Sequence, residues 1–309
     1  MDTLPFVSHE QILRLNLPLH EIFAAIEAAF VEHGKGRVEM PPKIGVHTRP
    51  GTFIHAMPAY VPALNICGMK WISGYPQNPE RGLPTIAGVL LLNDPDTGLL
   101  LGAMDARWIT GVRTAVVSAL IVRTCGRSDA RSLAVAGCGM QGREHLRCCL
   151  HVLPNVQEVR LFDVREENAH KLRDDSAAWT RATVKLCKSP EECLRGAEVS
   201  ATCTSGQLEV QDDWLPRGGT AVGVDSHIAW GRLFKTIDKF IMDDEKQARE
   251  FEKRGKYPGG LPPIHAELGQ ILAGQKSGRE NEAERILGLP LGLAIADLAV
   301  GQLIWQRTK

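Results

Sequence analysis

The hydrophobic positions of this chain change rhythm twice, at about residue 38 and again at about residue 105. Residues 8 to 34 follow helical spacing. Ser8 is a candidate N-cap with Ile12 and Leu13 facing inward, and a second amphipathic segment runs from Leu19 to Glu32 and stops at Gly34. From residue 38 to 105 the apolar runs become short and are punctuated by Pro and Gly, which predicts a mostly antiparallel β-layer. Within it, "TIAGVLLLNDPDTGLLLGAMD" predicts two strands around an Asp-Pro-Asp-Thr-Gly turn. "ARWITGVRTAVVSALIV", residues 106 to 122, predicts a buried helix with the charge of Arg113 at the head of its apolar run. Thereafter strands alternate with helices: "RSLAVAGCG", "VQEVRLFDV", "ATVKLCKS", "EVSATCTS", "GGTAVGVD" and "KFIMDD" are strands, which predicts βαβ units and a parallel sheet. The closing segment "LGLAIADLAVGQLIWQR" is apolar on most of its circumference, and is expected to return to the N-terminal domain and make it discontinuous.

Composition narrows the class without changing that picture. The chain has 309 residues, 44% hydrophobic and 23% charged, with a formal net charge of +0. These are the proportions of a globular enzyme, and no basic surface asks for nucleic acid or an anionic membrane. No uncharged run is long enough to cross a bilayer. Eight scattered cysteines form no CxxC pair and have no clustered histidines, so no metal site is expected. With no basic n-region or apolar h-region at the start, the expectation is a cytoplasmic protein with reduced thiols.

The sharpest chemical signal is "AVAGCGMQGREH". Gly137, Gly139 and Gly142 stand in G-x-G-x-x-G spacing, directly after an apolar strand and at the opening of a helix. That context fits a dinucleotide loop: the first glycine turns tightly, the second lets backbone approach a pyrophosphate, and the third packs helix on strand. The pyrophosphate would sit at the helix N-terminus, beside Met140 and Gln141. Asp163 ends the next strand, 21 positions after Gly142, where an acid bonds the ribose hydroxyls. It favours NAD over NADP, although Arg165, two residues on, offers a partner for a 2′-phosphate.

Acid and base candidates follow from position. Asp225, after "GGTAVGV", lies at the carboxyl end of a strand, where it is either a proton-handling group or the N-cap of the next helix. Asp243 and Asp244 read as caps or solvent-facing groups. Lys70, between Met69 and Trp71, is either a desolvated base and anion partner or a lysine snorkelling from an edge strand. Lys43 poses the same question, with an ordinary exposed lysine as the alternative. His55 alternates with Phe53 and Met57, as a core or interface histidine would. Arg113 cannot shed its charge. A pair with Asp105 or a snorkelling pose is the plainer reading, but its expected partner is a ligand carboxylate or pyrophosphate outside the protein. No G-x-S-x-G, H-E-x-x-H or G-K-[ST] motif points elsewhere.

The ordered motifs "MPPK", "MPAY", "GMKW", "NPERGLPT", "NDPDTG", "MDARWITGVRTAVVSAL", "AGCGMQG", "VGVDS", "AELGQILAG" and "LGLAIADL" resemble the ornithine cyclodeaminase/μ-crystallin family almost end to end. The resemblance implies a Rossmann-type doubly wound parallel sheet at residues 122–290. It also implies a discontinuous α+β domain, residues 1–121 with 291–309, that binds substrate and forms a homodimer. It implies NAD or NADP as cofactor and hydride chemistry at the α-carbon of a small amino or imino acid, ornithine cyclodeamination being the type reaction. Alanine dehydrogenase and ketimine reductase activities, or a non-catalytic NAD(P)-binding crystallin, are the alternatives. Carried onto this chain, Lys70 and Arg113 hold the substrate carboxylate, with Lys70 also moving a proton or activating water. Lys43, His55 and Thr85 line the substrate pocket, Asp225 is the catalytic aspartate, and Thr114 and Asp225 complete the cofactor contacts. Two departures bear on the substrate. Cyclodeaminases have arginine at Lys43 and glutamate at His55, and "SHIAWGRLF" after Asp225 lacks the usual proline and acid.

Overall fold

The computed structural model describes residues 4–204, 208–224, 227–257 and 259–308. The chain divides into two compact units, residues 1–113 with 292–309, and residues 114–291. The first boundary falls inside a helix, between Arg113 and Thr114, ahead of the position after residue 121 expected from the sequence.

The first unit opens with β1 (Phe6–Val7), α1 (His9–Arg14) and α2 (Leu19–Gly34). Ser8 caps α1 in a reciprocal box: Gln11 N donates to Ser8 Oγ at 3.3 Å, and Ser8 N donates to Gln11 Oε1 at 2.8 Å. Ile12 is buried, whereas Leu13, expected inward, is 49% exposed. Neighbouring residues lie about 100° apart on a helix, so a short amphipathic turn buries one of the two. The strands β2 (Ile44–Val46), β3 (Phe53–Val61), β4 (Ile66–Gly74), β5 (Ile86–Asn93) and β6 (Leu100–Asp105) form the predicted antiparallel layer, in the order β1-β6-β5-β4-β3-β2. The sequence missed β1, which pairs parallel to β6. The C-terminal helix, Ala294–Thr308, returns to this unit and packs on α2 and on β3, β4 and β5. Its approach is close enough that a side chain at Gly301 would overlap Leu90 of β5.

Helix α3 (Arg107–Cys125) leads into the second unit. There β7 (Ser132–Ala136), α4 (Met140–Val152), β8 (Glu158–Phe162), α5 (Glu166–Ser176), β9 (Thr183–Leu186), α6 (Pro190–Leu194), β10 (Val199–Thr202), β11 (Thr220–Gly223), β12 (Lys239–Met242), α7 (Glu245–Lys253), β13 (Ile264–Glu267), α8 (Leu268–Leu272) and β14 (Ile286–Gly288) follow. Among the described residues eight strands make one sheet, ordered β13-β12-β14-β11-β10-β7-β8-β9, and their pairings are parallel. The order β9-β8-β7-β10-β11 is that of a Rossmann-type sheet, which runs one way from β7 to β9 and the other way from β10 to β11. Its topological switch point lies between β7 and β10. The sequence missed β13 and β14, and β14 inserts between β11 and β12. Asp244 caps α7 through Gln247 N, but Asp243 is fully buried and not solvent-facing.

Candidate functional site

In the first unit the site grows from the alternation of β4. Ile66, Gly68, Lys70, Ile72 and Gly74 form its buried file, so Lys70 occupies an apolar position. Its register partners are Met57 on β3 and Leu90 on β5. The lysine is 1% exposed, which excludes snorkelling. Its Nζ lies 2.6 Å from Asp297 Oδ1, in the first turn of the C-terminal helix, and 3.5 Å from Thr110 Oγ1 on α3. Arg113 Nε donates to the same Asp297 Oδ1 at 2.9 Å. The expectation that Arg113 has no protein partner is therefore corrected. Asp105, the protein partner weighed from the sequence, turns to Arg107 at 2.9 Å and to His9 at 3.4 Å.

The cluster is crowded and positively charged. Half-buried Lys43 reaches the Gly292 carbonyl at 3.5 Å. Gly292 has φ +82°, and a Cβ there would stand 2.8 Å from Arg113 Nη2, so a glycine leaves the guanidinium its room. Lys70 and Arg113 thus share one carboxylate oxygen, with the Lys43 charge nearby, and the second oxygen of Asp297, Oδ2, is buried without a hydrogen-bond donor. Burial above all, then the Arg113 charge, with Lys43 adding to it, bring the Lys70 ammonium from 10.5 down to about 7, while Asp297 works in the opposite direction. An amine so placed can give up or take a proton near neutrality, and the excess positive charge suits a small carboxylate ligand.

The other sequence candidates in this unit lie apart in position. His55 sits two residues from Met57 along β3 and stacks on Phe53, with ring centroids 4.4 Å apart at 18°. Thr85 precedes β5, and its carbonyl accepts from Tyr75 N at 2.8 Å. Sequence reasoning missed Asp297, Thr110 and Gly292. Asp297 carried the same signal as Arg113, one charge in an apolar helical run.

In the second unit the glycine loop follows β7 at the switch point of the sheet. Gly137 has φ +92°, and a Cβ there would meet the Cys203 carbonyl oxygen at 2.6 Å. A Cβ on Gly142 would overlap the Gly137 carbonyl, so the first turn of α4 packs directly on the loop. Gly139, the N-cap of α4, faces open space. Met140 is 46% exposed, and Gln141 Oε1 is a buried acceptor without a donor. The Gln141 carbonyl bonds His145 Nδ1 at 2.8 Å, and His145 Nε2 meets Ser118 Oγ on α3 at 2.9 Å. Burial holds His145 down at about 4, so near neutrality the ring is uncharged: Nδ1–H donates to the carbonyl and Nε2 accepts from the serine.

Asp163 Oδ2 accepts from Cys138 N of the loop at 2.7 Å, and Oδ1 from Arg165 N at 2.9 Å. Oδ1 also accepts from Asn168 Nδ2 at 3.3 Å, so Oδ2 is the oxygen that retains a lone pair for a ribose hydroxyl. Arg165 is exposed beside it, and Thr114 is buried at the start of this unit. The open approach at Gly139, the free N–H groups of a helix N-terminus and the acid on the next strand fit a dinucleotide. Asp225, expected to be catalytic, lies outside the described residues.

The sequence pattern of the ornithine cyclodeaminase/mu-crystallin family matches residues 6–309. The chain belongs to this family. The nodulation efficiency protein NfeD of Rhizobium meliloti is 33% identical, over 97% of this chain and 94% of the relative. The Delta(1)-pyrroline-2-carboxylate reductase of Thermococcus litoralis, solved with NADH and L-proline, is 26% identical with a TM-score of 0.89, covering 99% of this chain and 97% of that one. An archaeal alanine dehydrogenase dimer with bound NAD is 28% identical with a TM-score of 0.89, covering 100% and 96%.

Proposed function

We propose that the chain is an NAD-dependent oxidoreductase of the ornithine cyclodeaminase family, acting at the α-carbon of a small amino or imino acid as a dehydrogenase or ketimine reductase. The observation that carries this reading is Lys70, a fully buried amine titrating near neutrality beside Arg113 and Lys43, with one carboxylate among them. Arg113 and Lys43 attract the substrate carboxylate. Lys70 delivers or accepts the proton that accompanies reaction at nitrogen or activates water, and Asp225 is the second proton-handling group. His55 and Thr85 shape the substrate's side-chain space. The loop Gly137, Gly139, Met140, Gln141 and Gly142, with Asp163, Thr114 and Asp225, holds the dinucleotide, which supplies the hydride acceptor or donor when bound. Asp163 favours NAD, and Arg165 is the group that would serve NADP. The alanine dehydrogenase and the pyrroline-2-carboxylate reductase among the relatives support this assignment, as do Lys43 and His55 at positions where cyclodeaminases carry arginine and glutamate.

A homodimer through the outer face of the six-stranded sheet belongs to the same reading. Ile44 and Trp71 share that face by register through Ala56, and they are 64% and 44% exposed.

The deciding experiment incubates the purified protein with NAD and alanine, with NADH and pyrroline-2-carboxylate, and with NAD and ornithine, following the absorbance of reduced cofactor. Stoichiometric change with alanine or pyrroline-2-carboxylate supports the proposal. Ornithine converted to proline and ammonia without lasting reduced cofactor makes the protein a cyclodeaminase instead. Tight NAD binding with no turnover across the panel leaves the crystallin-like reading.

A further inference from the structure

The Lys70 cluster contains one group that neither the sequence reading nor the comparisons assign. Asp297 sits in the first turn of the C-terminal helix, where the helix dipole favours a negative charge. It is 0% exposed, and both cations bond its single oxygen Oδ1, Lys70 at 2.6 Å and Arg113 at 2.9 Å. The groups facing Lys70 are few. The carboxylate comes from the C-terminal helix, Arg113 and the Thr110 hydroxyl from α3, and Lys43 from the segment before β2. Met57 and Leu90 flank it from the neighbouring strands. Of the charged groups among these, only Asp297 favours the protonated amine.

We infer that Asp297 is a positioning residue: Oδ1 fixes the Lys70 amine and the Arg113 guanidinium on one point, and its charge governs the protonation of Lys70. This deepens, and rests on, the reading of Lys70 as the proton-moving group. Without the carboxylate, the charged groups described around Lys70 are two cations, and so it releases its proton at lower pH. A charge within hydrogen-bond reach moves such an equilibrium by roughly one to three pH units.

The test titrates 13C-lysine-labelled protein by NMR, with the Lys70 Cε resonance assigned by its loss in Lys70→Met. In Asp297→Asn the Lys70 midpoint should fall by about one unit or more, and Asp297→Glu, which keeps the charge, should hold it close to wild type. The limb of the kcat/KM profile that belongs to Lys70 should move by the same amount. An unchanged Lys70 midpoint in Asp297→Asn overturns the assignment. In the wild-type chain labelled instead with 13C-aspartate, the Asp297 carboxyl carbon, assigned by its loss in Asp297→Asn, should shift with the midpoint of Lys70, and independent midpoints overturn it as well. Neither NMR readout requires turnover. A wild-type protein inactive on the whole panel therefore sinks the functional reading alone, whereas an active protein whose Lys70 midpoint ignores Asp297 sinks this one alone.

Discussion

Replacing Lys70 by methionine should make folding stability less dependent on pH while abolishing turnover. The substitution keeps the length of an apolar side chain in the β4 file and leaves Arg113 paired with Asp297. In the folded protein Lys70 titrates at about 7, and in the unfolded chain at about 10.5. Between those values the unfolded state binds the extra proton, so the lysine's contribution to stability rises with pH across that window. Below about 7 both states are protonated, and the burial penalty is felt in full. The shift of about 3.5 units, at about 1.4 kcal/mol per unit, corresponds to roughly 5 kcal/mol over the whole window. Between about pH 7 and pH 9.5 the advantage of Lys70→Met over wild type should shrink by roughly 3 kcal/mol. Urea unfolding at a series of pH values reads this directly, as a relative midpoint movement of about 1 M or more. A wild-type-minus-variant difference that stays flat from pH 7 to 9.5 would refute the argument, because Lys70 would then hold its proton as a surface lysine does. Measurable turnover by Lys70→Met would refute its role as the proton-moving group.

Three further outcomes test the proposed site. Gly139→Val should fold normally, since its φ of −72° suits valine and nothing lies within 4 Å of a Cβ there, yet calorimetry should find NAD affinity down tenfold or more, about 1.4 kcal/mol or above. Arg113→Ala should raise KM for the acid substrate steeply while NAD binding survives, because a charge-assisted carboxylate partner is lost, and an unchanged KM in a folded variant would remove Arg113 from the substrate site. Asp225→Ala should abolish turnover while NAD affinity falls only by the loss of one contact, whereas loss of NAD binding altogether would make Asp225 structural.

Much of the fold was legible because its periodicities are local. The antiparallel layer, the helix with Arg113 and the alternation from β7 to β12 each announce themselves within a dozen residues. β14 did not: Ile286, Leu287 and Gly288 are three buried residues with no alternation to read, and the partners β11 and β12 that give them a place lie far off in sequence. The glycine loop was legible as a tight turn at Gly137 and a close packing of helix on loop at Gly142, because spacing, strand and helix are contiguous. The cation cluster was legible only by half. Arg113 stood out as a charge in an apolar run, but its answer, Asp297, lies 184 positions away. Each residue alone looks like a misfit; only folding shows that the two misfits answer one another.

That pairing still leaves a surplus, and the surplus is the informative part. Among the described residues one carboxylate oxygen takes both Lys70 and Arg113, and the other, Oδ2, is left without a donor. A buried ion pair is seldom the cheapest way to stabilise a core, and hydrophobic side chains of similar volume serve as well or better. Met57 and Leu90, beside Lys70, show that this layer accepts such side chains. Stability alone therefore gives no reason for a lysine at this position. An amine that exchanges its proton near neutrality, next to a guanidinium that cannot, gives one: the first can take part in a reaction while the second goes on holding an anion. The division of labour follows from the chemistry of the two side chains. Exchanging lysine for arginine at position 70 would keep the charge and remove the exchangeable proton.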